Sequence, residues 1–132
     1  MPTDLAAIER AAAGLLMPSE SDYPFELVRF PQLTGASLEP AELLAALQLP
    51  ADSPVETTTL DHLFRNVAVP HDWHDEVQQQ QVPRFQALRQ AILDHLSDVQ
   101  VFRVGEVQVG VYILGRTDGG EWAGLKTTLI ET

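Results

Sequence analysis

The sequence contains no cysteine, and its single lysine is Lys126. Without cysteine there is no disulfide framework, no thiolate nucleophile and no cysteine-ligated zinc. No apolar run approaches the roughly 18 residues that suggest a transmembrane helix. The N-terminus also lacks a basic region followed by an apolar core, which a signal peptide requires. We therefore expect no contact with a membrane and, by default, a cytoplasmic location.

Basic residues are scarce altogether, with 8 Lys and Arg against 19 Asp and Glu and a formal net charge of −11. Nucleic-acid binding needs clustered Lys and Arg, so direct binding to DNA or RNA is not expected. Such a charge attracts a basic partner and speeds the encounter at low salt, although solubility alone explains an acidic surface equally well. The length and the 45% hydrophobic content fit one soluble domain over residues 1–132.

The last third of the chain, residues 99–132, has the pattern of a three-stranded meander. Apolar and other residues alternate with a period of two, which is typical of strands. The apolar positions are Val107, Val109, Val111, Ile113, Leu125 and Leu129. The glycine-rich segment 115–120 predicts one turn, and Gly105-Glu106 predicts a two-residue hairpin between Val104 and Val107.

Glu131 and Thr132 directly follow the last apolar residue of this meander. A terminus that continues from a strand is held more firmly than the frayed end of most domains. We therefore expect a free carboxylate and a hydroxyl to be presented at a fixed place.

Helical spacing and turn residues predict the remaining elements. A first helix carries Leu5, Ile8, Ala12 and Leu15 after an N-cap at Thr3 or Asp4. Prolines 18 and 24 make Ser19–Tyr23 a loop, and a strand follows over residues 25–30.

The middle of the chain predicts three helices and one strand. Ser37 is the expected N-cap of a short helix that reaches Leu47, and residues 54–58 form a candidate strand. Thr59 caps another short helix, and the most regular helix begins at Pro83. Whether residues 75–82 form a helix leading into it is left open. Together these elements form a mixed sheet of four or five strands with helices on its faces.

No enzymatic motif stands out. There is no GxSxG elbow, no phosphate-binding loop and no dinucleotide glycine pattern, although Ser, His and acid residues distant in sequence can assemble a triad in space. His71 and His74 would suit zinc if their segment were helical, but no third ligand is evident. Surface histidines before an acid-rich first helical turn explain the same residues.

Two residues have both a structural and a binding interpretation. Trp73 has few apolar neighbours in sequence, so it is either a ring folded onto the core or an exposed anchor for a protein partner. Glu20 is either a solvated charge or a carboxylate that a proline-bounded loop aims at an arginine. Trp122, inside the meander, is expected to be structural.

The segments GLLMPSESDYPFE (residues 14–26) and VFRVGEVQVGVYILGRTDGGEWAGLKTTLIET (residues 101–132) resemble the nuclease A inhibitor family. The central segment Pro70-His71-Asp72-Trp73 and the later PRFQALRQAI are similar to the same family. The resemblance implies an α/β/α sandwich with a largely antiparallel sheet, and a protein inhibitor rather than an enzyme, without a cofactor. Its implied target is a Mg-dependent, sugar-nonspecific nuclease of the ββα-metal class.

The resemblance also implies which residues meet the target. Thr132 would reach the metal of the nuclease, Glu20 would meet positive charge in its active site, and Trp73 would pack at the interface. The complete set of candidate partner-binding residues is Glu20, Trp73, Thr132, Ser19, Ser21, Asp72, Asp75, Glu76 and Glu131. The acidic surface would then act as a DNA mimic. The alternative is an acidic protein–protein interaction module with a non-nuclease partner, and in either case we expect a monomer or a weak dimer.

Overall fold

A computed structural model describes residues 4–18 and 21–131. Four helices and seven strands follow one another along this part of the chain. The helices are α1 (Leu5–Ala12), α2 (Pro40–Ala46), α3 (Leu60–Leu63) and α4 (Glu76–His95). The strands are β1 (Leu16–Met17), β2 (Tyr23–Pro24), β3 (Glu26–Phe30), β4 (Val55–Thr58), β5 (Ser97–Val104), β6 (Gln108–Arg116) and β7 (Trp122–Ile130). No helix in the described ranges is both long and apolar enough to cross a membrane.

Five strands form the main sheet in the order β3-β7-β6-β5-β4, and each of its four pairings is antiparallel. The predicted sheet of four or five strands therefore has five. It was expected to be mixed and largely antiparallel, and all of its described pairings are antiparallel. The meander forms its centre, where β6 pairs with both β5 and β7. Strands β1 and β2 pair separately as a small hairpin, which the sequence did not predict.

Both faces of the main sheet are covered, which confirms the expected α/β/α sandwich. Residues of α1, α3 and α4 pack on one face around Val109, Val111 and Ile113. Residues of α2 pack on the other face around Tyr112, Leu114 and Trp122. Because successive side chains of a strand point to opposite faces, the period-two pattern of β6 supplies both cores.

Close contact between β6 and β7 requires Gly124. A Cβ atom at this position would come within 1.9 Å of the carbonyl oxygen of Ile113 on the neighbouring strand. Only a residue without a side chain fits there, since real Cβ atoms do not approach a backbone oxygen so closely.

Several predicted boundaries are correct. Asp4, one of the two candidate caps, accepts a hydrogen bond from the amide of Ala7, and Thr59 accepts one from His62. Strand β4 matches the predicted segment, and Trp122 is fully buried as expected.

Three predictions about element ends were wrong. Helix α2 is capped by Glu39 and not by Ser37, because the Glu39 amide donates to the Glu42 carboxylate and the Glu39 carbonyl accepts from the Glu42 amide. Helix α4 begins at Glu76, so Pro83 lies inside it. The connection after Val104 is longer than two residues, since Val104 pairs with Gly110 and Val107 is exposed.

Candidate functional site

The segment before α4 carries a cluster of three rings, formed by His71, Trp73 and His74, which we call the aromatic cluster. The His71 and Trp73 rings stack with their centroids 5.0 Å apart and their planes 15° from parallel. The His74 ring lies edge-on to Trp73 at 4.4 Å. The indole is thus held by ring contacts on two sides, although it belongs to an irregular segment.

Hydrogen bonds to the segment after α3 fix both histidines. The Nε2 atoms of His71 and His74 lie 2.8 Å and 2.7 Å from the carbonyl oxygens of Arg65 and Asn66. The Nδ1 atom of His74 also accepts a bond from the amide of His71 at 3.4 Å. Carbonyl oxygens can only accept, so each Nε2 carries the proton in these bonds.

This arrangement does not fit the zinc interpretation of His71 and His74. Both ring nitrogens of His74 already have protein partners, whereas a metal ligand must leave one nitrogen free. Among residues 4–18 and 21–131 no group of three or more His, Asp or Glu side chains could hold a metal ion. The two histidines instead hold the loop that presents Trp73.

Trp73 is 59% exposed, so it is a surface ring and not a core residue. By contrast, Trp122 is fully buried and its indole N–H donates to the carbonyl of Gly35 at 3.0 Å. A large aromatic ring that is rigidly held and exposed loses little conformational entropy on binding, which is the property of an interface anchor.

Three acidic candidates lie close to Trp73 in the sequence. Asp72, Asp75 and Glu76 are exposed. The Asp75 carboxylate caps α4 by accepting from the amide of Gln78 at 2.7 Å, and the Gln78 side chain accepts from the amide of Asp75. Asp75 therefore has a structural task, while its charge remains at the surface beside Trp73.

An ion pair joins α3 to α4. The Arg89 Nε atom of α4 lies 2.6 Å from a carboxylate oxygen of Asp61 in α3. This hydrogen bond, together with the charge of Arg89, lowers the pKa of Asp61 below its usual value. The same bond raises the pKa of Arg89.

The loop that follows Pro18 is carried by the β1–β2 hairpin, in which Met17 pairs with Tyr23. Ser21 and Asp22 are exposed on this loop, while Ser19 and Glu20 lie outside the described residues. The hairpin is attached to the final strand, because the Thr127 hydroxyl lies 2.9 Å from the carbonyl oxygen of Pro24 and donates to it. No periodicity in the sequence indicated this attachment.

Two interactions hold the residue that follows β7. The amide of Glu131 donates to the carbonyl of Val107 at 2.8 Å, which extends the ladder by one bond. The Glu131 carboxylate forms an ion pair with Arg103 of β5. Thr132 comes next in the chain and lies outside the described residues.

The topology brings the aromatic cluster, the hairpin loop and Glu131 to one end of the sheet. Leu96 alone separates α4 from β5, so α4 runs back along the strand and begins near the end marked by Val104. Strand β7 finishes at the same end, because Ile130 pairs with Gln108 at the start of β6. A 20-residue helix spans about 30 Å and an eight-residue strand about 26 Å, so the two have similar lengths.

The comparisons with known proteins identify a family for this chain. The family model described as "Nuclease A inhibitor-like protein" matches residues 4–132, which is nearly the whole chain. A search of curated proteins finds no match. The extent of the family match decides the classification: this chain belongs to the nuclease A inhibitor-like family.

Proposed function

We propose that the chain is a reversible, non-covalent inhibitor of a Mg-dependent, sugar-nonspecific nuclease of the ββα-metal class. Membership of the nuclease A inhibitor-like family implies a nuclease as partner and an inhibitor in place of an enzyme. The proposal adds the class of nuclease and the residues that block it. These are Thr132 at the metal, Glu20 at active-site positive charge, and Trp73 beside them.

The observation that carries the proposal is the common location of three segments. Pro18 and Asp22 of the hairpin line one cleft with Trp73, and Glu131 follows β7 at the end of the sheet toward which this hairpin and the start of α4 also lie. The nine candidate residues come from three distant parts of the sequence, and the described neighbours of all three parts lie toward the same end of the sheet. Such a surface can enter one active site as a single unit.

The chemistry of the target explains why these residue types would inhibit it. A metal-dependent nuclease holds its substrate phosphate between a divalent cation and basic side chains. Mg²⁺ prefers oxygen ligands and usually keeps several waters. The hydroxyl or carboxylate of Thr132 can replace one of those waters, and Glu20 can pair with an arginine through a charge-assisted hydrogen bond.

The remaining acidic candidates act at the edge of this contact. Ser21 is exposed on the hairpin loop, and the three acids Asp72, Asp75 and Glu76 are exposed next to Trp73 in the sequence. Their carboxylates add to a formal net charge of −11, which steers the protein toward a basic active site as a polyanion would be steered. We expect a total interface of about 1,600 Å².

A titration tests this function. Purified protein is added to a ββα-metal nuclease in Mg²⁺ buffer, with DNA cleavage as the readout and a variant carrying a short Gly-Ser extension after Thr132 in parallel. The same extension before Met1 is the matched control. We expect stoichiometric inhibition by the wild type and the control, and a sharp loss of affinity for the extended variant. Equal inhibition by all three would refute the metal contact, and no inhibition would favour an acidic module with another partner.

A further inference from the structure

A cleft of about 430 Å³ opens between the β1–β2 hairpin and the first turns of α4, directly beside Trp73. Its walls combine apolar side chains with a few polar ones. The lining residues are Gly14, Leu16, Pro18, Asp22, Asn66, Val67, Trp73, His74, Val77, Gln78, Gln81 and Phe85. Of the candidate partner-binding residues derived from the sequence, Trp73 alone belongs to this set.

The apolar walls of the cleft are unusually exposed. Leu16, Trp73 and Val77 keep 48%, 59% and 64% of their surface accessible. They come from β1, from the aromatic cluster and from α4, so separate elements place them around one opening. Apolar side chains gathered in this way mark a surface that a partner covers.

The charge of the cleft is negative. Asp22 is part of its lining, and none of the lining residues is Lys or Arg. Arg84 approaches the Gly14 end, where its guanidinium donates to the carbonyl oxygen of Ala13. The exposed acids Asp72 and Glu76 flank the wall that carries Trp73 and Val77 in sequence.

We propose that this cleft receives an arginine side chain of the nuclease, next to the blocked active site. The aliphatic stem would pack against Leu16 and Val77, and the guanidinium would lie against Trp73 and pair with Asp22. That the arginine belongs to a nuclease rests on the proposed function. That the cleft prefers arginine is inferred from its lining residues alone.

Arginine fits these walls better than the other candidates. A purely apolar side chain would leave the Asp22 carboxylate desolvated and unpaired, which is costly. A lysine can lie over an indole, but its ammonium group cannot stack flat on the ring or form the planar fork that matches a carboxylate. The guanidinium group does both, while its stem covers apolar surface.

The preference can be measured on this protein alone, with N-acetyl-arginine amide as the probe. N-acetyl-citrulline amide is the neutral control, because it has nearly the same shape without the charge. The readout is the pair of indole N–H resonances in a ¹H–¹⁵N spectrum. Trp73 reports on the cleft, and Trp122, buried on the other face of the sheet, is the internal reference.

We expect the arginine probe to shift the Trp73 resonance with a dissociation constant in the millimolar range and to leave Trp122 in place. The citrulline probe should bind about tenfold more weakly, since it lacks the charge-assisted bond. Asp22→Asn should abolish that difference, whereas Asp52→Asn, an exposed acid in the turn after α2, should preserve it. Equal binding of both probes, stronger binding of N-acetyl-leucine amide, or retained discrimination in Asp22→Asn would each overturn the proposal.

The nuclease titration separates this inference from the proposed function. If the wild type inhibits the nuclease, Asp22→Asn should weaken inhibition about tenfold relative to Asp52→Asn. If the arginine probe binds but no ββα-metal nuclease is inhibited, the cleft keeps its preference and the proposed target is wrong. If the nuclease is inhibited equally by the wild type and Asp22→Asn, the cleft does not hold an arginine of that enzyme.

Discussion

Arg103 and Glu131 form an ion pair that links β5 to the residue after β7, across the intervening strand β6. Only 20% of the Arg103 side chain is exposed, against 44% of the Glu131 side chain. Glu56 lies directly opposite Arg103 on β4, so this arginine stands among carboxylates at the edge of the proposed site. Together with the bond from the Glu131 amide to Val107, the pair fixes the point from which the chain continues to Thr132.

We predict that Arg103→Gln weakens nuclease inhibition about tenfold, or about 1.4 kcal/mol. The reason is positional, because Glu131 loses the partner that orients the chain toward Thr132. The free energy of unfolding should fall by only about 1 kcal/mol, as for other partly exposed pairs. Inhibition constants and urea unfolding measure the two effects separately.

Two controls separate positioning from simple loss of charge. Arg29→Gln removes the same charge from the ion pair with Glu121, at the opposite end of β7, and should leave inhibition unchanged. In the background of the C-terminal extension, Arg103→Gln should have little further effect, because the end it orients no longer reaches the metal. An undiminished effect in that background would show that Arg103 acts in another way.

Trp73→Ala should weaken inhibition by about 2 kcal/mol, as expected for a central interface anchor. Its effect on stability should be small, because 59% of the residue is already exposed in the free protein. Leu49→Ala removes another exposed apolar side chain, 41% accessible and located just after α2, and is the matched control. Equal inhibition by both variants would remove Trp73 from the interface.

His71→Ala should reproduce part of the Trp73→Ala loss, because the stacked imidazole holds the indole in place. The measurement is a double-mutant cycle in which His71→Ala has no further effect once Trp73 is alanine. Relaxation of the Trp73 indole N–H should show greater mobility in His71→Ala. If the indole stays rigid and inhibition is unchanged, the stacking has no role in presenting Trp73.

The sequence was informative where a pattern is local or strictly periodic. Alternation in residues 107–113 and 125–130 predicted the central strands, and the contact of both faces with helices follows from it. The residue types of the loop and the chain end suggested which surface meets a partner, through resemblance to a family whose model matches residues 4–132.

What could not be predicted depends on contacts between distant residues. The bond from Thr127 to Pro24 and the pair of Arg103 with Glu131 require the strand register, which periodicity does not give. The start of α4 was misplaced because Pro83 is typical of a first helical turn. The capping exchange between Asp75 and Gln78 instead begins the helix seven residues earlier. That earlier start brings Val77 to the cleft beside Trp73.

Asp75 caps α4, and its charge is also a candidate for binding the partner. Two substitutions separate these two roles. Asp75→Ala should lower the free energy of unfolding by about 1 kcal/mol, because the amide of Gln78 loses its acceptor. Asp75→Asn keeps an acceptor and removes only the charge, so stability should be nearly unchanged. For Asp75→Asn we expect a slower association with the nuclease at low salt and an unchanged dissociation rate. A faster dissociation would show direct contact with the enzyme.

The ion pair between Asp61 and Arg89 predicts a dependence of stability on pH. The lowered pKa of Asp61 means that its ionised form is favoured in the folded state. The pair therefore contributes stability above the unfolded pKa of about 3.9. That contribution is lost as the pH falls through the lower folded value. At pH 7, Asp61→Asn should melt at a lower temperature than the wild type, and the difference should disappear when the pH falls well below 4. Asp52→Asn is the control and should show no such convergence. A difference for Asp61→Asn that persists unchanged in acid would mean that the substitution acts through something other than the charge on Asp61.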